Sequence, residues 1–266
     1  MTDQRAQATP YRGEIWDGPA VDPNLWRLLQ QKNQFIEITS GPGPYQVVLG
    51  VPHHAAPGVD RIAEDWVNPK TGRSGRPADE TTGLIGLAVF TALQARQISC
   101  KLVIAAHATD HDPNKTPGSP YWQSLFDGSA TGCLIELHGA ASRRRHALEL
   151  SAGNNLLANP LIFGKILAYF WQSDLPLAVQ ETPENYAGWV YRKGYPPQEG
   201  RLENPALETP SLEYAGQSGI PALHLEMKAA FRQPDPEFPD APRPTILGWD
   251  LARALASAIA LLTRPD

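Results

Sequence analysis

The chain has 266 residues, carries a net charge of −5 and draws 42% of its residues from the apolar set. That length and apolar content suit one α/β domain with a substantial buried core. The mild acidity, with no basic stretch besides Arg143-Arg144-Arg145, excludes a protein that grips nucleic-acid phosphates over a broad face. The two cysteines, Cys100 and Cys133, lie at the ends of apolar runs without metal-ligand spacing, so buried thiols are expected rather than a disulfide. No segment approaches the roughly 20 apolar residues that span a bilayer. The polar first 14 residues hold no apolar h-region, and the expectation is a cytoplasmic protein with no membrane partner.

In chain order, residues 1–22 read as an irregular arm, and Asp22-Pro23 then opens a helix over 22–29. Short apolar runs bounded by Gly, Pro or polar clusters follow at 35–38, 46–51, 101–106, 133–137, 175–179 and 222–227. Several are apolar almost without interruption, as strands buried on both faces are. Helical patterns occupy 81–97, 160–171 and 249–262, and a Pro-rich loop covers 233–244. Alternating strands and helices predict a three-layer α/β fold around a mostly parallel or mixed central sheet.

The seven histidines carry the chemical information. His53 and His54 close the run 46–51, His107 and His111 follow 101–106, and His138 closes 133–137. Open α/β sheets bind ligands beyond the carboxyl ends of their strands. Three strands that each deliver histidine there point to a metal. Zinc takes imidazole nitrogen and carboxylate oxygen in a tetrahedral set and leaves one position open in catalytic sites. His53, His138 and one acid of the pair Asp79-Glu80 make such a set for one Zn(2+) ion. Glu80 is favoured, with Asp79 the alternative, since one of the two also suits the N-cap of the following helix.

Glu226, an acid inside the apolar run 222–227, suits a general base whose pKa burial raises. Asn114 and Lys115, in Asp112-Pro113-Asn114-Lys115, are candidates for holding a substrate carboxylate or a developing oxyanion. Arg144 and Arg192 are further candidates for an anionic group, and Asn185, Tyr186 and Trp189 for a pocket wall. The residues leave His54, His107 and His111 without a role.

Taken in order, Val51-Pro52-His53-His54, Asp112-Pro113-Asn114-Lys115, Glu136-Leu137-His138-Gly139 and Leu223-His224-Leu225-Glu226 resemble the N-formylglutamate amidohydrolase family. The resemblance covers about residues 46 to 231 and implies a fold similar to the zinc carboxypeptidases. It also implies hydrolysis of an amide next to a carboxylate-bearing group, with His53 and His138 as ligands and Glu226 as the catalytic carboxylate. Lys115 stands where the family has arginine, which turns a bidentate grip into a point-charge contact. Gly139-Ala140 stands where a small hydroxyl residue is usual. The expected partner is a small anionic molecule. Alternatives within the same fold are a carboxypeptidase-like or γ-glutamyl peptidase, a metal-dependent esterase, and a catalytically degenerate binding protein.

Overall fold

Two runs, 47–51 and 102–106, set the centre of the molecule, because almost every side chain in them is buried. Strands of that kind pair in parallel inside a sheet covered on both faces. In the computed structural model, which describes residues 21–69, 71–140, 148–152, 189–192, 198–199, 209–238 and 242–263, they do so. Strands β2 (Tyr45–Ala55), β6 (Cys100–Ala106), β7 (Ala130–Gly139) and β11 (Ala222–Met227) run parallel in the spatial order β6-β2-β7-β11. Strand β1 (Gln34–Thr39) adds antiparallel outside β6. Strands β8 (Leu148–Ser151), β9 (Trp189–Arg192) and β10 (Gln198–Glu199) extend the sheet antiparallel beyond β11. The result is the expected mixed sheet flanked by helices.

The larger core lies on one face. Val47, Leu49, Val51, Leu102, Ile135 and Leu225 pack there against α1 (Pro23–Leu29), α2 (Thr82–Gln94) and α5 (Ile246–Ala260). Asp22 caps α1 by accepting from the amides of Asn24 and Leu25 at 2.8 and 3.1 Å. On the opposite face Val48, Val103 and Leu134 meet α3 (Pro120–Leu125) and α4 (Pro210–Gln217) through Tyr121, Leu125, Leu212 and Ala215. Lys101 is wholly buried on this side, where its ammonium donates to Ser124 O, Asp127 Oδ2 and Ser129 Oγ. A buried charge is tolerated only with such partners.

Outside the main sheet, β3 (Arg61–Val67) and β4 (Ser74–Pro77) form a two-stranded hairpin that the sequence does not announce, since its faces mix charge and apolar residues. Two backbone bonds, from Ala63 N to Ala108 O and from Asp65 N to Thr109 O, hold it to the loop after β6. The last helix begins at Ile246 rather than near 249, because Thr245 accepts the Gly248 amide as its cap. The expected strand 175–179, helix 160–171 and most of the arm 1–22 lie outside the described residues. Among the described residues no helix is long and apolar enough to cross a membrane.

Candidate metal centre

Strand β2 keeps register with β6 from Val47 to Val51, then shifts, so that His54 rather than His53 pairs with Ala106. One extra residue is accommodated there, and a β-bulge of this kind re-aims side chains. Val51 faces the larger core, so unbroken alternation would send His53 the same way. The bulge instead turns His53 to the α3–α4 face and sends His54 under the first turn of α2, where its Nδ1 accepts the Gly83 amide at 3.0 Å. His54 therefore completes a helix N-terminus. Burial holds its imidazole neutral, with a pKa pushed down to about 3 against the opposing Leu29 carbonyl.

Beyond Gly50↔Glu136, strands β2 and β7 separate. The short strand β5 (Asp79–Glu80) takes the vacated edge of β2, pairing His54↔Asp79 and Ala55↔Glu80. Asp79 is thereby placed between the two histidine-bearing strands. Its Oδ2 lies 3.3 Å from His53 Nδ1 and 3.4 Å from His138 Nδ1, and the two Nδ1 atoms are 3.2 Å apart. All three residues are buried. Of the two acids the sequence offers, the cluster takes in Asp79, the alternative, while the favoured Glu80 accepts the Gly58 amide at 2.8 Å. The pairing of β5 with β2, not the distance from a helix start, chooses between the two neighbours.

Each histidine is backed by a second carboxylate. His53 Nε2 meets Asp112 Oδ1 at 2.8 Å and Asn114 Oδ1 at 3.1 Å, and His138 Nε2 meets Glu136 Oε2 at 3.4 Å. A carboxylate behind an imidazole places the proton on Nε2 and leaves the Nδ1 lone pair for a metal. Glu136 Oε1 in turn accepts from Tyr121 Oη at 3.0 Å and Ser211 Oγ at 2.8 Å. Burial alone would raise the Asp79 and Asp112 carboxyls, but histidine and nearby cations hold both below the ordinary carboxylate range. Burial would likewise lower the His138 imidazole; Asp79 and Glu136 outweigh it and raise it to about 9. Three buried carboxylates around two histidines make the pocket attract a cation.

Asp112 and Glu136 were not singled out from sequence. For Glu136 the signal was present: it stands two residues before His138 in a strand and so shares its face. The register Glu226↔His138 and His224↔Glu136 puts Glu226 and His224 on that face as well. The His224 ring stacks on His138 at 4.2 Å and 18°, and Glu226 is half-buried. Lys115 is bound to Asp112 Oδ2 at 3.2 Å and lies over Trp66 at 5.5 Å. His107 carries its own amide to His54 O, and His111 pairs with Asp110 near the surface. Neither joins the cluster. Gly139 leaves room for the Arg232 guanidinium, which a Cβ would meet at 2.7 Å. Arg144, Asn185 and Tyr186 lie outside the described residues, as do the side chains of Trp189 and Arg192.

The donor set fits a tetrahedral ion. With metal–ligand bonds of about 2.0–2.1 Å, two ligand atoms on a tetrahedron stand about 3.3–3.4 Å apart. The three contacts between Asp79 Oδ2 and the two Nδ1 atoms, 3.2 to 3.4 Å, match that edge. Asp79 Oδ2 is also a buried carboxylate oxygen with no hydrogen bond of proper geometry, the state expected of a ligand atom.

No family model matches the sequence, and no curated protein matches it. Several solved structures are similar. N-formylglutamate amidohydrolase from Ralstonia eutropha JMP134 is 11% identical, with 86% of this chain and 97% of that one covered and a TM-score of 0.47. A putative carboxypeptidase from Burkholderia mallei ATCC 23344 is 13% identical over 91% of this chain and 66% of that one, at a TM-score of 0.45. The N-acetylmuramyl-L-alanine amidase from Mycobacterium smegmatis is 13% identical over 82% and 96%, also at 0.45.

Proposed function

We propose that the chain is a zinc-dependent hydrolase that cleaves the amide bond of a small, carboxylate-bearing N-acyl amino acid. The observation that carries this reading is the triangle of His53 Nδ1, Asp79 Oδ2 and His138 Nδ1 at the carboxyl ends of β2, β5 and β7. Glu226 stands on the adjoining strand, in register with His138. His53, Asp79 and His138 would hold one Zn(2+). An ion held there would supply Lewis-acid chemistry, activating a water and polarising a carbonyl.

The chain's own residues do the rest. Asp112 and Glu136 keep Nε2 of each histidine protonated and fix both rings. Glu226 takes a proton from the attacking water as the C–O bond forms, and returns it to the nitrogen as the C–N bond breaks. Lys115 receives the anionic end of the substrate, with Asn114 held at its base beside His53. Arg144 and Arg192 remain further candidates for that end from sequence alone.

The test is turnover of a panel of N-formyl and N-acetyl amino acids, γ-glutamyl compounds and short peptides by zinc-loaded protein. Hydrolysis of the N-acyl amino acids, abolished by a chelator and restored by zinc, is expected. Preference for peptides would replace this reading with a peptidase, and no hydrolysis by zinc-loaded protein would leave a binding protein.

A further inference from the structure

We infer that Arg76, on the β3–β4 hairpin, is a specificity-determining residue that together with Lys115 clamps the substrate's carboxylate. The inference deepens the proposed function and rests on it. Arg76 reaches the metal cluster from outside the main sheet: its Nη1 lies 2.7 Å from His53 Nε2 and 3.5 Å from Asp112 Oδ2. Lys115 Nζ approaches that same Oδ2 at 3.2 Å. Two cations thus converge on one oxygen of one buried carboxylate, whose other oxygen serves His53.

At the Nε2 end of His53, across the ring from Asp79, Arg76 and Lys115 bring two positive charges to the single carboxylate of Asp112. Both cationic side chains keep access to solvent, 21% for Arg76 and 29% for Lys115, whereas Asp112 has none. A carboxylate arriving from solvent meets both cations at once. The contact with His53 adds a second argument. Nε2 cannot accept from Arg76 while donating its proton to Asp112, and a metal on Nδ1 requires the latter. In the loaded site the guanidinium is left with Asp112 and an incoming anion as its partners. Its planar fork suits carboxylate, where the neighbouring lysine supplies only a point charge.

The hairpin is built to hold the residue there. Gly75, at φ +63, bends the strand just before Arg76, and a Cβ on it would meet Ile62 O at 3.2 Å. The backbone bonds of Ala63 and Asp65 to residues 108 and 109 fix the hairpin to the segment that carries Asp112.

The experiment is calorimetric titration of zinc-loaded protein with succinate, succinamide and inorganic phosphate, for the native chain, Arg76→Gln and Arg76→Lys. The native chain is expected to bind succinate. Arg76→Gln should weaken that binding about tenfold or more, as loss of a charged hydrogen-bond pair does. Arg76→Lys should fall between, and succinamide binding should not respond to the substitutions. Equal succinate affinity in native and Arg76→Gln protein, no succinate binding by native protein, or tighter binding of phosphate overturns the assignment. If Arg76→Gln does not fold, Arg76→Lys decides, and undiminished succinate affinity in it overturns the assignment. Protein that binds succinate through Arg76 but hydrolyses no N-acyl amino acid sinks the hydrolase reading alone. A hydrolase whose succinate affinity ignores Arg76 sinks this one alone.

Discussion

Glu226 lies in a strand whose other side chains, His224 apart, are apolar, and its register partner is His138. A residue in that position that moves protons contributes to turnover rather than to metal retention. Glu226→Gln is expected to keep zinc and lose about 10²–10⁴ in kcat, the usual worth of a general base, as steady-state kinetics with parallel metal analysis would show. At this scale the sequence is readable where a side chain's position follows from its own strand: His53 and His138 each close an apolar run and meet in one cluster, and Glu226 interrupts the run beside His138. It was not readable for Asp79 against Glu80, neighbours whose fates are separated by a two-residue strand pairing with β2. Nor did it reveal Asp112, which acts on a histidine 59 positions away.

Elements supply the geometry that single residues cannot. The bulge near the end of β2 explains the doubled histidine: one ring faces the pocket and the other caps α2. No periodicity rule predicts that split, because it depends on the register with β6. Gly50 shows the same dependence between β2 and β7. A Cβ there would lie 2.3 Å from Tyr121 Oη and 3.2 Å from Glu136 Cγ, both fixed in the buried network behind His138. Gly50→Ala is therefore expected to cost about 1–3 kcal/mol in a denaturant titration, as overpacking does. It should also weaken zinc binding about 10-fold or more, as disturbing the groups behind a ligand does. Unchanged stability and unchanged zinc affinity would show that the network yields without consequence. The strands buried on both faces were legible from their apolar runs, whereas the β3–β4 hairpin, with mixed faces and a bulge, was not.

At the scale of the whole molecule, a mixed sheet with the larger core on one face leaves the other face free to build a polar site. The two thiols belong to the core: both are buried, and burial pushes each pKa up to about 12. A raised thiol pKa means less thiolate at any lower pH, so neither cysteine should react with an alkylating reagent at pH 8 until the chain unfolds. Rapid labelling of the folded protein would contradict that burial. A metal that binds only the folded chain also stabilises it, by about 2.7 kcal/mol when free zinc stands at 100 times Kd. A chelator should therefore lower the melting temperature of zinc-loaded protein. As proposed above, His53, Asp79 and His138, and not Glu80, hold one metal ion. Metal content after equilibration with zinc and removal of the excess tests it most directly, in the native chain, Asp79→Asn and Glu80→Gln. One zinc per chain is expected in the native protein and in Glu80→Gln, and close to none in Asp79→Asn. Zinc kept by Asp79→Asn and lost from Glu80→Gln would contradict it.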